Sequence, residues 1–585
     1  MAYECLCAAR LAPRRRVPRA ATVTRPCRRA PGLIGAATVL ALGAASGQPP
    51  PDTTSIDAIF AQYDQRSTPG CALGVYRDGR IVYEQGYGSA NLDYSLPITP
   101  DTVFFVGSVS KQFTAFAAAL LIEQRQLALS DSLRKYFSEL PEWGDAITVD
   151  DLIHHTSGIR DFLTLWEFSG RTFEEGLSSE AAIDLIARQR ALDFAPGTQW
   201  SYSNSGYFLL AEIINRATGT PLSTFAHDAM FAPLGMTSTH FHDDNTLIVP
   251  RRATGYLPDD AGDGFRVVAT TFALVGDGGV FTTVRDLIKW DENFYDNRLG
   301  GGAALIEKFT TPGRLANGEP HPYAYGLFPG TYRGLPTVQH GGSFIGFRSQ
   351  LLRFPTEHVS MAVLCNDWTA NAEDLAQRVA DSYLATRLEA PPAPPRVAGP
   401  TAVEIEPADL RRFVGRYALE QPGLFASVIE RTDGLALEID GNERRLIPTS
   451  ATSFAFDTGP GEIEFVIGDA APSLLFRGIP VPPAPMLVPP TLSATQLSEY
   501  AGRYTSDELD TWFAIRHRDG GLELQRRNGP WRKLEAIATD RFLAGPADLK
   551  FERDNTAKVS GFFVSTQRAS NIRFTRDTRP DGAAN

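Results

Sequence analysis

Val109, Phe113, Phe116 and Leu120 recur at helical spacing behind the extended run Phe104-Phe105-Val106, predicting a strand end that gives way to a centrally packed helix through Ile122. Thr148-x-x-Asp151 and Thr283-x-x-Asp286 each read as a helix-capping pair, and Leu287, Trp290 and Phe294 continue the second helix. Phe347 to Phe354 and Val359 to Leu364 read as paired strands, so the chain up to residue 389 is mixed α and β. The pattern then changes. Phe413-Val414-Gly415-Arg416-Tyr417 is echoed by Tyr500-Ala501-Gly502-Arg503-Tyr504, and each copy leads into short strand-like runs broken by Asp433-Gly434 or Asp519-Gly520. Such duplication predicts two small antiparallel β-barrels.

Proline divides these regions. Ala390-Pro391-Pro392-Ala393-Pro394-Pro395 and Pro480-Val481-Pro482-Pro483-Ala484-Pro485 read as stiff linkers, because proline fixes φ and cannot continue a helix or a central strand. The expected domains are therefore 52–389, 401–479 and 491–578. A chain of 585 residues with 43% hydrophobic content is ample for several packed cores.

Residues 1–47 differ from everything that follows. They hold eight arginines, Glu4 as the only acid, and an apolar stretch from Leu33 to Ala45 ending in small residues, which reads as a long export signal and a periplasmic or secreted product. An organelle transit peptide shares the arginine-rich, acid-poor character, and a start placed too early would instead leave a cytoplasmic protein. The apolar run is short for a membrane span, and no other span is visible. The full chain carries a net charge of −12; loss of eight positive charges and one negative would leave −19, which argues against a nucleic-acid partner. Beyond the leader only Cys71 and Cys365 remain. They lie in apolar runs without metal-ligand spacing, and read as two small buried hydrophobes.

Candidate chemistry gathers in three clusters. In Ser108-Val109-Ser110-Lys111 the serine and lysine are three residues apart, so in a first helical turn the amine hangs beside the hydroxyl while free backbone N–H groups face a developing oxyanion. Ser132 and Lys135 share that spacing but have no long buried helix behind them, and read as a solvated helix start. Tyr202-x-Asn204 offers a phenol that can trade a proton and an amide that can bond a substrate carbonyl or a lysine. Tyr295-Asp296-Asn297 matches too, but Tyr295 ends a helix and reads as surface. Val338-Gln339-His340-Gly341-Gly342-Ser343 places a histidine near a strand edge whose glycines would let backbone approach a ligand. His240-Phe241-His242-Asp243-Asp244 lacks a third distant ligand and reads as a polar surface strand end, not a metal site.

In this order, the three clusters resemble the serine β-lactamase and penicillin-binding-protein superfamily, in its branch of class C β-lactamases, D-Ala-D-Ala carboxypeptidases, D-aminopeptidases and related esterases. Gly86 to Asn91, Leu152 to Gly158, Pro233 to Met236 and Gly278 to Thr283 support the resemblance, which spans roughly residues 55 to 385. The two added barrels are similar to the domain plan of D-aminopeptidases. The resemblance implies an α+β fold, with a β-lactamase-like catalytic domain of antiparallel sheet flanked by helices, then the two barrels. It implies Ser108 as acylated nucleophile, Lys111 and Tyr202 as the base candidates, Asn204 as orienting group, and the N–H groups of Ser108 and Ser343 as oxyanion hole. His340, Gly341, Gly342 and Ser343 would bind substrate, with no metal or cofactor required.

His340 stands where β-lactamases of the family usually carry lysine. A histidine near its reference pKa is largely neutral at pH 7, which weakens the β-lactamase reading most. The leading expectation is acyl-enzyme hydrolysis of amides or esters of small D-amino-acid-type substrates, by a D-aminopeptidase or D-Ala-D-Ala carboxypeptidase. The alternatives are a broad esterase, a β-lactamase, and a noncatalytic penicillin- or wall-fragment-binding protein. A free substrate amine would call for an acidic or carbonyl-rich wall, from a loop such as Asn528-Gly529-Pro530-Trp531 unless that is simply a hairpin turn. Partners are a small-molecule or short-peptide substrate and, in one expectation, a second copy in a homodimer.

Overall fold

The computed structural model describes residues 53–577, apart from 260, 261, 263, 269, 391–402, 404, 433, 440, 458–460, 469, 470 and 480. The leader and the first proline seam lie outside the described residues. A six-stranded antiparallel sheet anchors the first region, in the spatial order Phe328–Tyr332, Leu335–Phe344, Phe347–Phe354, Val359–Cys365, Cys71–Arg77, Arg80–Tyr87. The first strands of the chain thus pair beside the last of the domain. The Val359–Cys365 strand is buried at every position, as expected where helices cover both faces. Thr53–Ile59 and Ala372–Tyr383 share one apolar core with one face of the sheet, and Val284–Glu292 packs on its central strands.

Cys71 and Cys365 are not merely apolar filler. They stand opposite each other in the register of the central strands, with Cα atoms 4.0 Å apart, and form a disulfide. Sequence spacing could not reveal this, because 294 positions separate the two and only the sheet brings them together. Replacing both with alanine is expected to lower stability by about 2–4 kcal/mol, read as an earlier thermal midpoint that no longer responds to reductant.

Lys111–Glu123 is buried on all sides from Lys111 to Leu121, the pattern of a helix at a domain centre. Its polar residues are tied to neighbours: Thr114 Oγ1 donates to the Gly276 carbonyl at 2.7 Å, and Trp290 Nε1 donates to Gln112 Oε1 at 2.6 Å. Thr148 and Asp151 form a full capping box on Val149–His154. Thr283 caps Val284–Glu292 through Asp286 N, but the Asp286 carboxylate turns instead to Ser238 N and Thr239 Oγ1, and Phe294 lies just beyond the helix.

Two closed eight-stranded antiparallel barrels follow. The repeated motif has a structural cause: Tyr417 Oη donates to the Phe413 carbonyl at 2.8 Å and Tyr504 Oη to the Tyr500 carbonyl at 2.7 Å, the same corner in both copies. The first barrel runs past the expected boundary at residue 479. Its closing strand, Ala484–Leu487, begins within the second proline seam, and it pairs over only two residues with each neighbour, where Pro485 is tolerated. The second barrel, from Gly502–Ser506 to Ala569–Arg576, has a core continuous with that of the catalytic domain, whereas the first has its own. No helix among the described residues is long and apolar enough to cross a membrane.

Candidate active site

Ser108 lies in a 3₁₀ turn, Gly107–Ser110, ahead of the α-helix rather than within its first α-turn. The tighter turn still places Lys111 Nζ 3.1 Å from Ser108 Oγ. Lys111 is wholly buried, and its amine also donates to Asn204 Oδ1 at 2.8 Å and to the Asp277 carbonyl at 2.6 Å. Two of these three contacts are obligate acceptors. A neutral amine would spend both hydrogens on Asn204 and Asp277 and turn its lone pair to the serine hydroxyl; an ammonium would donate there. The geometry therefore serves both states of a proton transfer with Ser108.

Asn204 opens the helix Asn204–Thr218, and its backbone N–H donates to Asp161 Oδ2 at 2.7 Å. The other oxygen of Asp161 accepts from Thr164 N at 3.0 Å and caps Phe162–Phe168. One buried carboxylate thus fixes two helix N-termini, where anionic charge is favoured. Tyr202 lies just before that helix, its ring centroid 4.8 Å from Lys111 Nζ. Its hydroxyl is buried without a hydrogen-bond partner among the described residues. A buried unpaired hydroxyl is costly unless a ligand completes it.

Beyond Gln339 the Leu335–Phe344 strand has no strand partner among the described residues on the side of the Phe328–Tyr332 strand. Gly107, with φ near +52°, sits so close to this strand that a Cβ would fall 2.7 Å from the Ser343 nitrogen, so only glycine brings the Ser108 turn against Ser343. His340, Gly341, Gly342 and Ser343 line the same cleft of about 1120 Å³ as Ser108, Tyr202 and Asn204. His340 itself is buried. Its Nδ1 faces the Gly341 carbonyl at 2.6 Å and must carry the hydrogen, so Nε2 accepts from Tyr323 Oη at 2.9 Å. Burial, then the nearby Lys111 charge, pushes its pKa down to about 3, leaving a neutral ring.

Several participants escaped the sequence. His155, between Tyr202 and Tyr323, accepts from Ser203 N at 3.2 Å and is held neutral by burial and Lys111, which steadies the Tyr202 loop. Asp277 lines the cleft, and burial raises its carboxyl to about 6, against the opposing pull of Lys111. Asp161 was not singled out in the sequence, although its place ahead of Phe162-Leu163 is a signal that could have marked it as a cap; Asp277 carried only a glycine-rich turn as signal.

The matching decoys part company here. Lys135 pairs with Asp131 at 2.8 Å, and Ser132 Oγ bonds the Gly144 carbonyl, so that pair forms no site. Tyr295 is not on the surface: its hydroxyl is buried and its ring stacks on His358 at 3.6 Å, because the chain folds back beyond the helix. Nor is His242 a surface residue. It is buried against Phe281 and lines the cleft, and burial drops its pKa to about 4. No three-residue metal-ligating group occurs among the described residues. Asn528-Gly529-Pro530-Trp531 is the hairpin connection between Gly521–Arg526 and Trp531–Ala538 and does not line the cleft. The second barrel reaches the site elsewhere, through Arg568, whose guanidinium carbon stands 5.2 Å from the Tyr202 ring centroid.

The family model described as "Beta-lactamase" matches residues 56–385. The chain belongs to the beta-lactamase family. It is a serine hydrolase of that family, and a second model, a domain of unknown function (DUF3471), matches residues 488–579, the second barrel. Similar curated proteins include D-aminopeptidases of Cereibacter sphaeroides, 28% identical over 84% of this chain and 91% of that one, and of Brucella ovis, 28% identical over 87% and 96%. Among solved structures, the octameric penicillin-binding protein homologue from Pyrococcus abyssi aligns with a TM-score of 0.53 at 21% identity, over 82% of this chain and 99% of that one. The D-amino acid amidase from Ochrobactrum anthropi aligns at 0.50 and 22%, over 57% and 100%. These likenesses share the β-lactamase fold that carries Ser108.

Proposed function

We propose that this β-lactamase-family enzyme hydrolyses amides of small D-amino-acid-type substrates through an acyl-enzyme on Ser108, as a D-aminopeptidase-type hydrolase. The observation that carries the reading is the Lys111 amine, fixed by Asn204 and the Asp277 carbonyl so that its remaining position meets Ser108 Oγ. As Ser108 attacks, its proton passes to Lys111 or Tyr202, and the oxyanion is met by the N–H groups of Ser108 and Ser343. The orphan Tyr202 hydroxyl then protonates the departing amine and later activates water. The names of the similar D-aminopeptidases support the D-amino-acid class, and a neutral His340 in place of a fixed cation argues against a β-lactamase. The test is a matched panel of D-Ala-p-nitroanilide, a D-Ala-D-Ala peptide, nitrocefin and p-nitrophenyl butyrate. Turnover of the anilide or peptide without nitrocefin is expected; turnover of the ester alone would replace this reading with a broad esterase.

Asp277 supplies the acidic wall that a free amine needs. Its carboxyl keeps its proton to about pH 6 in the fold, against an ordinary 3.8. The folded state thus binds the extra proton between those values, and this group's favourable contribution is complete below 3.8 and lost as pH rises through 6. Asp277→Asn is expected to be more resistant to urea than the wild type at pH 8, with the advantage gone at pH 4. It should also remove an acid limb near pH 6 from kcat/KM on amine-bearing substrates.

The Cys71–Cys365 disulfide supports an oxidising compartment, and with it export directed by residues 1–47. Fractionation of the full-length protein in its host tests this; a cytoplasmic, fully reduced product would reject it.

A further inference from the structure

We infer that Arg568, carried into the cleft by the second barrel, binds a carboxylate on the leaving-group half of the substrate, so that the favoured substrates are short D-peptides with a free C-terminus. This rests on the acyl-enzyme reading above. Arg568 stands over Tyr202, the group assigned to protonate the leaving amine, so its charge lies on the side where that amine departs. No carboxylate among the described residues is within ion-pair distance of its guanidinium. Arg252 and Arg348 line the same cleft, also without an ion-pair partner among the described residues, although Arg348 donates to the Trp368 carbonyl at 2.8 Å and to Ser343 Oγ at 2.7 Å, and burial disfavours the charge of each. Among the described lining residues, the carboxyls that stand against them are those of Asp277 and Glu373. The indole N–H of Trp200, another lining residue, is buried without an acceptor. Cations without a counter-ion, beside one indole donor without an acceptor, call for an acceptor-rich anion, and guanidinium geometry fits a carboxylate.

The Arg568 backbone is held from three sides, although its side chain is exposed. Its carbonyl accepts from Asp161 N at 2.8 Å, which links the turn through Asp161 Oδ2 to Asn204 and so to Lys111. Next to it, Ser570 donates from both N and Oγ to Asp193 Oδ1 at 2.8 and 2.7 Å. From the other side the first barrel braces the turn: Gln421 Nε2 donates to the Gln567 carbonyl at 3.0 Å, and Gly423, with φ near +77°, packs so tightly that a Cβ would meet Thr566 Cα at 2.7 Å. Both barrels thus position one arginine. Such pre-ordering reduces the entropy lost on binding.

The test compares D-Ala-D-Ala with D-Ala-D-Ala-amide, following released D-alanine by mass spectrometry, for the wild type, Arg568→Ala, Arg568→Lys and Arg568→Glu. The wild type is expected to prefer the acid, and Arg568→Ala to lose about tenfold in kcat/KM on it, the scale of a hydrogen bond to a charged group. The amide should change by less than about threefold, as for a weak exposed interaction, Arg568→Lys should retain part of the preference and Arg568→Glu should invert it. Equal losses on acid and amide, or no wild-type preference for the acid, would overturn the assignment. If the wild type cleaves neither peptide, the D-peptide reading fails by itself. Phenyl acetate and 3-acetoxybenzoate, which differ in a leaving-group carboxylate, then decide the role of Arg568 by the same criteria.

Discussion

Ser108→Ala is expected to lower kcat on any amide or ester substrate by roughly four to six orders of magnitude, the loss typical of removing a covalent nucleophile. The fold should survive, because the change removes a single oxygen at a turn whose neighbours Val109 and Ser110 remain anchored, the latter by Val280 N donating to Ser110 Oγ at 3.0 Å. The variant should also lose any covalent adduct after a penicillin pulse, read as the absence of a mass shift on the peptide containing Ser108. Ser132→Ala, which has the same Ser-x-x-Lys spacing, should retain full activity. An adduct on another peptide, or an active Ser108→Ala, would remove the basis for the mechanism.

Arg160→Ala should give the largest loss of stability. Arg160 and Glu508 are 2% and 4% exposed, and form a 2.7 Å ion pair between the catalytic domain and the second barrel. Arg160 also donates to Gln189 Oε1 at 2.8 Å and to the Asn571 carbonyl at 3.3 Å. Removing it leaves the Glu508 carboxylate buried against Arg190 N without its counter-ion, at a cost of about 3–5 kcal/mol. Urea denaturation should show the loss, and limited proteolysis should then cut the second barrel. Activity should fall as well, because Asp161 follows Arg160 directly and ties the barrel turn to Asn204. Arg160→Met combined with Glu508→Gln should recover part of the stability, since Glu508 no longer carries a buried charge, while Asp193, 3.6 Å from Arg160 Nε, still loses its cation. If the single variant is as stable as the wild type, the barrel does not dock through this pair.

Much of the site was legible in order along the chain. Ser108 and Lys111 stood out because a buried helical pattern follows them, and Tyr202 and Asn204 because they lie between Pro196-Gly197 and the apolar run Tyr207-Phe208-Leu209-Leu210. Both signals are local, and local geometry carried them into the fold. The repeat at Tyr417 and Tyr504 was legible for the same reason, since each tyrosine bonds a carbonyl only four residues back. The misreadings at Cys71, Tyr295 and His242 have the opposite cause. Each was judged from its neighbours in sequence, and each is placed by a partner far away: Cys365, His358 and Phe281.

By itself, then, the sequence singled out Ser108 and Lys111 as the candidate nucleophile and its lysine, and predicted the mixed α and β region and the two barrels, because spacing, periodicity and repetition act over a few residues. The tertiary structure alone decided that His340 is neutral and locked by Tyr323, that Asp277 closes the lysine site, and that Arg568 stands over Tyr202. Those properties depend on burial and on approach between residues that are not sequence neighbours, 17 positions apart for Tyr323 and His340 and 166 for Lys111 and Asp277, and neither is encoded in any one stretch of chain.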